Sequence, residues 1–147
     1  MNQESSISLY FRLISKEIKQ FIDKRLDNNL TNIHISILCY IKRNNNTNVY
    51  QKDIEDFLNI RRSTTTEILN VMEKNNLIKR VDSSLDKRKK IIVLSQKGNI
   101  YVKKFKEILE DVEKILFLKI SEEEQKQLVH ILYKIRKNII NSQEEIC

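Results

Sequence analysis

A basic segment occupies the middle of the chain. Residues 61–90 hold nine lysine or arginine residues and four aspartate or glutamate residues, and nine minus four gives a net charge of +5. The whole 147-residue chain has a net charge of +7, so this segment holds most of the positive excess. Such a segment in a soluble protein favours binding to a phosphate backbone. The alternative is an ordinary solvated surface.

Side chains that can read DNA bases occur at helical spacing in this segment. The apolar period predicts a helix over residues 62–75, with Thr65, Ile68, Leu69 and Met72 on its inner face. On the outer face, arginine can read guanine, asparagine suits adenine, and serine or threonine contacts bases or phosphates. An ordinary solvated helix face is the alternative. The predicted DNA-binding residues of this helix are Arg61, Arg62, Ser63, Thr64, Thr66 and Asn70.

Two further places suit phosphate groups. The run Lys87-Arg88-Lys89-Lys90 lies between two predicted strands and can neutralise phosphates or enter a minor groove. Gln51 and Lys52 begin a predicted helix, where backbone N–H groups can receive a phosphate. An ordinary place on the helix surface remains an equal alternative for Gln51.

Catalytic and metal chemistry find little support in the sequence. Gly98 is the only glycine, so no glycine-rich phosphate loop exists. Cys39 lies in an apolar run, which favours a buried structural thiol over a redox sensor. His34 and His130 have no metal-binding partner at helical spacing. We therefore expect no enzyme activity, no metal and no cofactor.

The composition excludes several protein classes. The chain has no proline and one glycine, which argues against a β-sandwich with many turns. A hydrophobic fraction of 40% is too high for disorder, and a charged fraction of 32% is too high for a membrane bundle. We see no signal-peptide pattern, and two cysteines make no disulfide framework. These features predict a cytoplasmic protein without membrane contact.

The apolar pattern predicts a mainly α (α+β) chain. A short helix, a tight connection, a second helix and a hairpin make a winged helix-turn-helix. The predicted helices cover 5–26, a segment capped by Thr31, 50–58, 62–75, 96–118 and 121–141, and the predicted strands cover 77–81 and 91–94.

The helices at both ends of the chain carry apolar stripes that a small winged domain cannot bury. We expect these stripes to pack against each other and against a second copy of the chain. Residues 1–30 and 96–147 would then form a helical dimerisation region, and residues 31–95 a DNA-binding lobe. A monomer with a local helical bundle is the alternative.

Several motifs together resemble one family. Residues 86–88 (Asp-Lys-Arg), followed by five residues and then 94–98 (Leu-Ser-Gln-Lys-Gly), are similar to the wing signature of the MarR (multiple-antibiotic-resistance regulator) family. Residues 51–60 resemble its first helix-turn-helix helix, 62–66 the start of its recognition helix, and 73–80 the approach to its wing. Three residues depart from the pattern: Asn76 replaces glycine, Thr65 an aliphatic residue, and Ser95 threonine. Asparagine tolerates the left-handed backbone expected at position 76.

The resemblance implies a transcriptional regulator that binds double-stranded DNA as a homodimer. Repression is the default and activation the alternative, and the operator would be a near-palindrome. Arg88 would insert into a groove, held by an ion pair with Asp86, although Asp86 alternatively only shapes the turn. The competing classes are a winged-helix protein-interaction module and a sensor without promoter binding.

The resemblance also implies a small aromatic or phenolic effector. It would bind between the dimerisation helices and the DNA-binding lobe and weaken DNA binding. Every residue proposed for that crevice has an alternative place in the core or interface. The residues are Tyr10, Phe11, Ile14, Tyr40 and Arg43.

Overall fold

The computed structural model describes residues 6–26, 30–84, 86 and 88–144, without the side chains of residues 143 and 144. Over these residues the chain has six helices and one antiparallel hairpin, which confirms the predicted mainly-α winged helix-turn-helix. The elements are α1 (Ile7–Asp23), α2 (Asn32–Arg43), α3 (Gln51–Leu58), α4 (Arg62–Lys74), β1 (Ile78–Asp82), β2 (Lys90–Leu94), α5 (Gln96–Leu116) and α6 (Glu122–Glu144).

The chain falls into two compact units, Met1–Leu109 and Glu110–Cys147. The first unit contains the helix-turn-helix and the hairpin. Its α1 ends at Asp23, earlier than the predicted residue 26, because the chain turns there and buries Leu26.

The core of the first unit surrounds α2. Ile37 and Leu38 of this helix are fully buried, as the nearly continuous apolar run predicts. Contacts from α3, α4 and the hairpin complete this core, which fixes the orientation of α4. Three further apolar residues of this core are fully buried: Ile54, Leu69 and Met72. Another three are almost fully buried: Leu77, Ile78 and Ile92.

Left-handed asparagines end the two helices of the helix-turn-helix. Asn59 after α3 has φ 51°, and Asn76 after α4 has φ 56°. In both, the next residue donates its N–H to a carbonyl five residues back: Ile60 to Glu55 at 3.2 Å and Leu77 to Met72 at 2.9 Å. These bonds satisfy helix-end carbonyls and send the chain sharply into the next element.

Strand β2 also makes backbone contacts outside the β1–β2 ladder. Strands β1 and β2 pair from Ile78 opposite Leu94 to Asp82 opposite Lys90. The N–H of Ile92 also donates to the carbonyl of Val49 at 2.8 Å, and Tyr50 forms an isolated bridge with Ile91. The segment before α3 therefore lies along β2.

Gly98 and Ser95 join the hairpin to α5. Ser95 Oγ accepts from the N–H of Gly98 at 2.9 Å and donates to the carbonyl of Asn76 at 2.5 Å. A Cβ atom at position 98 would lie 2.1 Å from the carbonyl oxygen of Leu77. Glycine is needed here because the first turn of α5 passes directly against the backbone.

The second unit contains the end of α5 and α6. Ser121 and Glu124 form the predicted capping box: the N–H of Ser121 donates to Glu124 Oε2 at 2.8 Å, and the N–H of Glu124 donates to Ser121 Oγ at 3.3 Å. The Ser121 hydroxyl also donates to Glu124 Oε2 at 2.7 Å. This hydrogen bond, together with the one from the Ser121 N–H, lowers the pKa of Glu124. None of the described helices has the length and apolar character that crossing a bilayer requires.

Candidate DNA-binding surface

The outer face of α4 presents most of the predicted base-reading residues to solvent. Arg61 precedes the helix with an extended backbone, and Arg62 is its first residue. The opposite face is fixed by Thr65, Leu69 and Met72, each fully buried. The exposed predicted residues are Arg61, Arg62, Ser63, Thr64 and Asn70.

Gln51 joins α3 to α4 instead of standing alone on the surface. Its Nε2 donates to Thr66 Oγ1 at 2.8 Å and to Glu55 Oε1 at 3.0 Å. The Thr66 hydroxyl in turn donates to the carbonyl of Arg62 at 2.8 Å. Both side chains therefore fix the spacing of the two helices, and Thr66 is half-buried.

Lys52 at the start of α3 is exposed and forms an ion pair with Asp56 at 2.7 Å. The hydrogen bond and the charge of Asp56 raise the pKa of Lys52. Because both partners are in solvent, this pair is weak and a phosphate can replace the carboxylate. The N–H of Tyr50 donates to Asp53 Oδ2 at 2.7 Å, which caps the same helix.

Asp86 shapes the turn of the wing, which is the hairpin formed by β1 and β2. Its Oδ1 accepts from the backbone N–H of Arg88 at 3.0 Å, and its carbonyl accepts from the N–H of Lys89 at 2.9 Å. None of the ion pairs between described residues joins Asp86 to Arg88, and the Arg88 side chain is exposed. Asp86 therefore shapes the turn through the backbone, as a carboxylate in an Asx turn does. Lys87 lies outside the described residues.

Tyr50 supports this turn from below, a contact that sequence reasoning missed. Its hydroxyl lies 3.3 Å from Ser83 Oγ, and Ser83 is only 1% exposed. Ser83 Oγ also accepts from the N–H of Asp86 at 3.3 Å. The Lys89 ammonium lies 5.7 Å from the centre of the Tyr50 ring. Lys90 pairs with Asp82 at the base of the wing.

A groove of about 560 Å³ brings these elements together. We call it the basic groove, because six basic and two acidic side chains line it. It runs between the starts of α3 and α4 and the hairpin. The basic side chains are Lys52, Arg62, Arg80, Arg88, Lys89 and Lys90; the acidic ones are Asp53 and Glu55.

Arg80 in this groove was not among the predicted site residues. Its Nη1 donates to Asn70 Oδ1 at 2.9 Å and to Glu73 Oε2 at 2.5 Å. The sequence gives no direct signal for this contact, because a helix end and a turn separate Arg80 from the residues it meets.

The sequence matches a known family model, and the fold matches solved structures. The MarR family model matches residues 28–89. The chain is 30% identical to MepR, a transcription regulator of the Staphylococcus aureus multidrug efflux pump MepA, with a TM-score of 0.77 over 91% of this chain and 98% of that one. The chain belongs to the MarR family. It is therefore a DNA-binding transcriptional regulator and not an enzyme.

Two other structures of Staphylococcus aureus MepR are also similar. The MepR–DNA complex is 30% identical, with a TM-score of 0.72 over 94% of this chain and 99% of that chain. MepR bound to ethidium bromide is 31% identical, with a TM-score of 0.73 over the same shares. No curated protein matched the chain in a sequence comparison.

The residues expected at an effector crevice of this MarR-family chain do not all meet. Tyr40 and Arg43 line a cavity of about 500 Å³ in the first unit, and the Tyr40 ring stacks on Phe57 at 4.4 Å between centroids. Tyr10, Phe11 and Ile14 lie on α1 away from this cavity and are exposed. The residues of α1 that line it follow these three along the helix and are Ser15, Ile18, Lys19, Ile22 and Asp23.

The remaining reactive side chains have structural environments. Cys39 is half-buried beside the cavity; burial raises the pKa of its thiol, and the charge of Arg43 offsets part of this effect. His34 Nδ1 accepts from the N–H of Thr31 at 3.3 Å, and burial lowers the pKa of His34. Within the described residues, no three metal-binding side chains form a group.

Proposed function

We propose that this chain is a repressor that binds a near-palindromic operator as a homodimer and is released by a small aromatic molecule. The basic groove carries the proposal: three elements place six basic side chains beside the exposed polar face of α4. Such clustering of basic side chains favours binding to a phosphate backbone.

In this proposal each element has its own part of the duplex. Helix α4 enters the major groove, where Arg62, Ser63 and Thr64 at its start meet base edges. Arg88 and Lys89 of the wing meet phosphates or a minor groove. The start of α3 receives a phosphate through Lys52 and the backbone N–H groups at Gln51 and Lys52.

The exposed apolar residues of α1 and α6 support a homodimer. Each helix exposes several large apolar side chains, which is typical of an interface, and a second copy of the chain would bury them. We therefore keep residues 1–30 and 96–147 as the dimerisation region and 31–95 as the DNA-binding lobe. The exposed residues are Ile7, Tyr10, Phe11, Leu13 and Ile14 on α1, and Leu128, Val129, Ile131, Leu132, Tyr133, Ile139 and Ile140 on α6.

Two-fold symmetry of such a dimer requires a two-fold operator. Two copies of α4 related by a dyad meet half-sites about one helical turn, or about 10 base pairs, apart. Binding at a promoter would then block transcription, and the protein would act in the cytoplasm, where that DNA is held.

The cavity beside α2 supports the effector. The stacked Tyr40 and Phe57 rings offer a flat apolar surface to an aromatic molecule, and Arg43 adds a charge beside it. The similar MepR structure with ethidium bromide indicates that this architecture accepts such a molecule. An effector that prefers a conformation with a different lobe separation would lower DNA affinity.

Selection from a randomised duplex pool tests the proposal. We expect a near-palindromic consensus, and we expect transcription from a promoter containing it to fall when the protein is added. Recovery of unrelated sequences with equal affinity would contradict sequence-specific regulation. A rise in transcription would contradict repression alone.

A further inference from the structure

Asn70 on the outer face of α4 is held by Arg80 of the adjoining strand. Nη1 of Arg80 donates to Asn70 Oδ1 at 2.9 Å and to Glu73 Oε2 at 2.5 Å. The backbone N–H of Arg80 also donates to Glu73 Oε1 at 3.3 Å. The Arg80 side chain is 21% exposed, so these contacts hold it in a largely enclosed position.

The chemistry of this contact determines how the Asn70 amide is turned. A guanidinium group has donors and no acceptor, so only the amide oxygen can face it. The two N–H donors on Nδ2 then remain for a ligand; within the described part of the chain, Nδ2 has no hydrogen-bond partner. The carboxylate of Glu73 lies against the Arg80 guanidinium and offsets the cost of partly burying its charge.

This orientation changes what Asn70 can read. Adenine presents one acceptor and one donor in the major groove, so asparagine reads it with an oxygen and an N–H together. Guanine presents two acceptors, N7 and O6, and suits a side chain that offers donors. The Arg80 guanidinium takes one of the two lone pairs of the Asn70 oxygen and places a positive charge beside it, which disfavours the N6 amino donor of adenine. With its oxygen held in this way, Asn70 offers mainly its Nδ2 donors and matches guanine better than adenine.

We infer that Arg80 is a specificity-determining residue: by engaging the oxygen of Asn70, it makes the recognition helix read guanine where an unrestrained asparagine would read adenine. The inference rests on the proposed placement of α4 in the major groove. Arg80 itself acts through Asn70 and is a positioning residue.

A purely structural role for Arg80 makes a different prediction. If Arg80 only braces the hairpin against α4 through Glu73, its loss lowers affinity for every duplex by the same factor. If it sets the reading of Asn70, its loss changes base preference at one position in each half-site.

The test uses the full chain, the selected duplex and every single-base variant of one half-site. We expect the wild-type protein to prefer guanine over adenine by about tenfold at one position. Arg80→Met should abolish or reverse this preference and leave the relative preferences elsewhere unchanged. Asn70→Ala should lose the preference at the same position, and Arg80→Met should change nothing further there in that background.

Lys79→Met is the matched control, because Lys79 is an exposed neighbour on the same strand. It should lower affinity uniformly. If Arg80→Met fails to fold, Arg80→Lys keeps the charge without the planar fork and should give a weaker preference for guanine. A uniform loss in the Arg80 variants, or a changed position different from that of Asn70→Ala, would overturn the inference. A wild-type chain that selects no sequence would instead refute the proposed function, and the inference would fall with it.

Discussion

Single asparagines determine where the helices of the DNA-binding lobe end. Asn59 and Asn76 both have positive φ, a conformation in which the Cβ of an L-residue meets the following carbonyl. Glycine tolerates this conformation best, and asparagine, with its small amide side chain, tolerates it next best. The angle at which α4 meets the hairpin therefore depends on Asn76.

Replacing Asn76 with alanine should lower the free energy of unfolding by about 1 kcal/mol, because alanine tolerates the left-handed backbone less well. Denaturant unfolding of the purified protein measures the change. Asn75→Ala is the matched control, since Asn75 has an ordinary φ of −83°. Equal losses from both substitutions would show that the backbone of Asn76 carries no strain.

The buried histidine gives the fold a pH dependence. Burial lowers the pKa of His34 from its ordinary value of 6.5, so the folded chain binds this proton more weakly than the unfolded chain. The stabilising effect of neutral His34 is therefore complete above pH 6.5 and decreases as the pH falls below it.

His34→Gln should lose less stability than the wild type between about pH 7.5 and about pH 5.5, because glutamine cannot take up the proton. Thermal unfolding at the two pH values measures this difference. His130→Gln on exposed α6 should keep the wild-type pH dependence. An identical pH dependence in all three proteins would rule out His34 as the cause.

At the scale of elements, the wing depends on a support outside the hairpin. Tyr50 precedes α3, yet its hydroxyl meets buried Ser83 under the turn that carries Arg88. The backbone bridge from Tyr50 to Ile91 fixes the main chain at Tyr50 beside β2. Wing orientation is thus coupled to the start of α3, and both contribute to the basic groove.

Tyr50→Phe should lower operator affinity by about two- to tenfold, because it removes one hydrogen bond that positions the wing. In an Arg88→Ala background the same substitution should have almost no effect, because the arginine side chain that Tyr50 positions is absent. Competition binding on the selected duplex measures both effects. Additive losses would mean that Tyr50 acts independently of the wing.

The sequence predicts elements whose contacts repeat at short spacing. The period of three and four residues locates α4 with Leu69 and Met72 inside, and the capping box locates the start of α6 at Ser121. The glycine position of the family pattern correctly indicates the left-handed backbone at Asn76. These features depend on neighbours within one turn, so the local sequence contains them.

Contacts between distant segments are what the sequence does not predict. Arg80 meets Asn70 across a turn, and Tyr50 meets Ser83 across two helices and a strand, so no spacing rule relates either pair. The predicted effector residues on α1 show the same difficulty, because the apolar period of this helix does not indicate which of its turns lies near Tyr40. An ion pair between Asp86 and Arg88 was expected from the family resemblance, whereas the structure uses Asp86 to close the turn.

At the scale of the whole molecule, the proposed homodimer would bury the exposed apolar side chains of α1 and α6. Ile131 of α6 is 52% exposed among other exposed apolar residues of the same helix. Ile131→Glu should shift the protein from dimer to monomer, because an unpaired carboxylate in an apolar interface is costly to desolvate. Sedimentation measures the mass, and operator affinity should fall with it.

Lys134→Glu, at an exposed position of the same helix, controls for the change of charge and should leave the dimer intact. A wild-type protein that is monomeric at concentrations where it binds the operator would contradict the dimeric account.

The central claim is that α4 and the wing together select the operator. The most direct measurement compares the wild type with the double variant Arg62→Ala, Arg88→Ala on the selected duplex and on a scrambled one, across a range of salt concentrations. The wild type should prefer the selected duplex by on the order of 10³ or more, with affinity falling steeply as salt rises. The double variant should lose most of that preference and show a shallower salt dependence. Unchanged affinity, preference and salt dependence in the double variant would contradict the assignment of both elements to DNA.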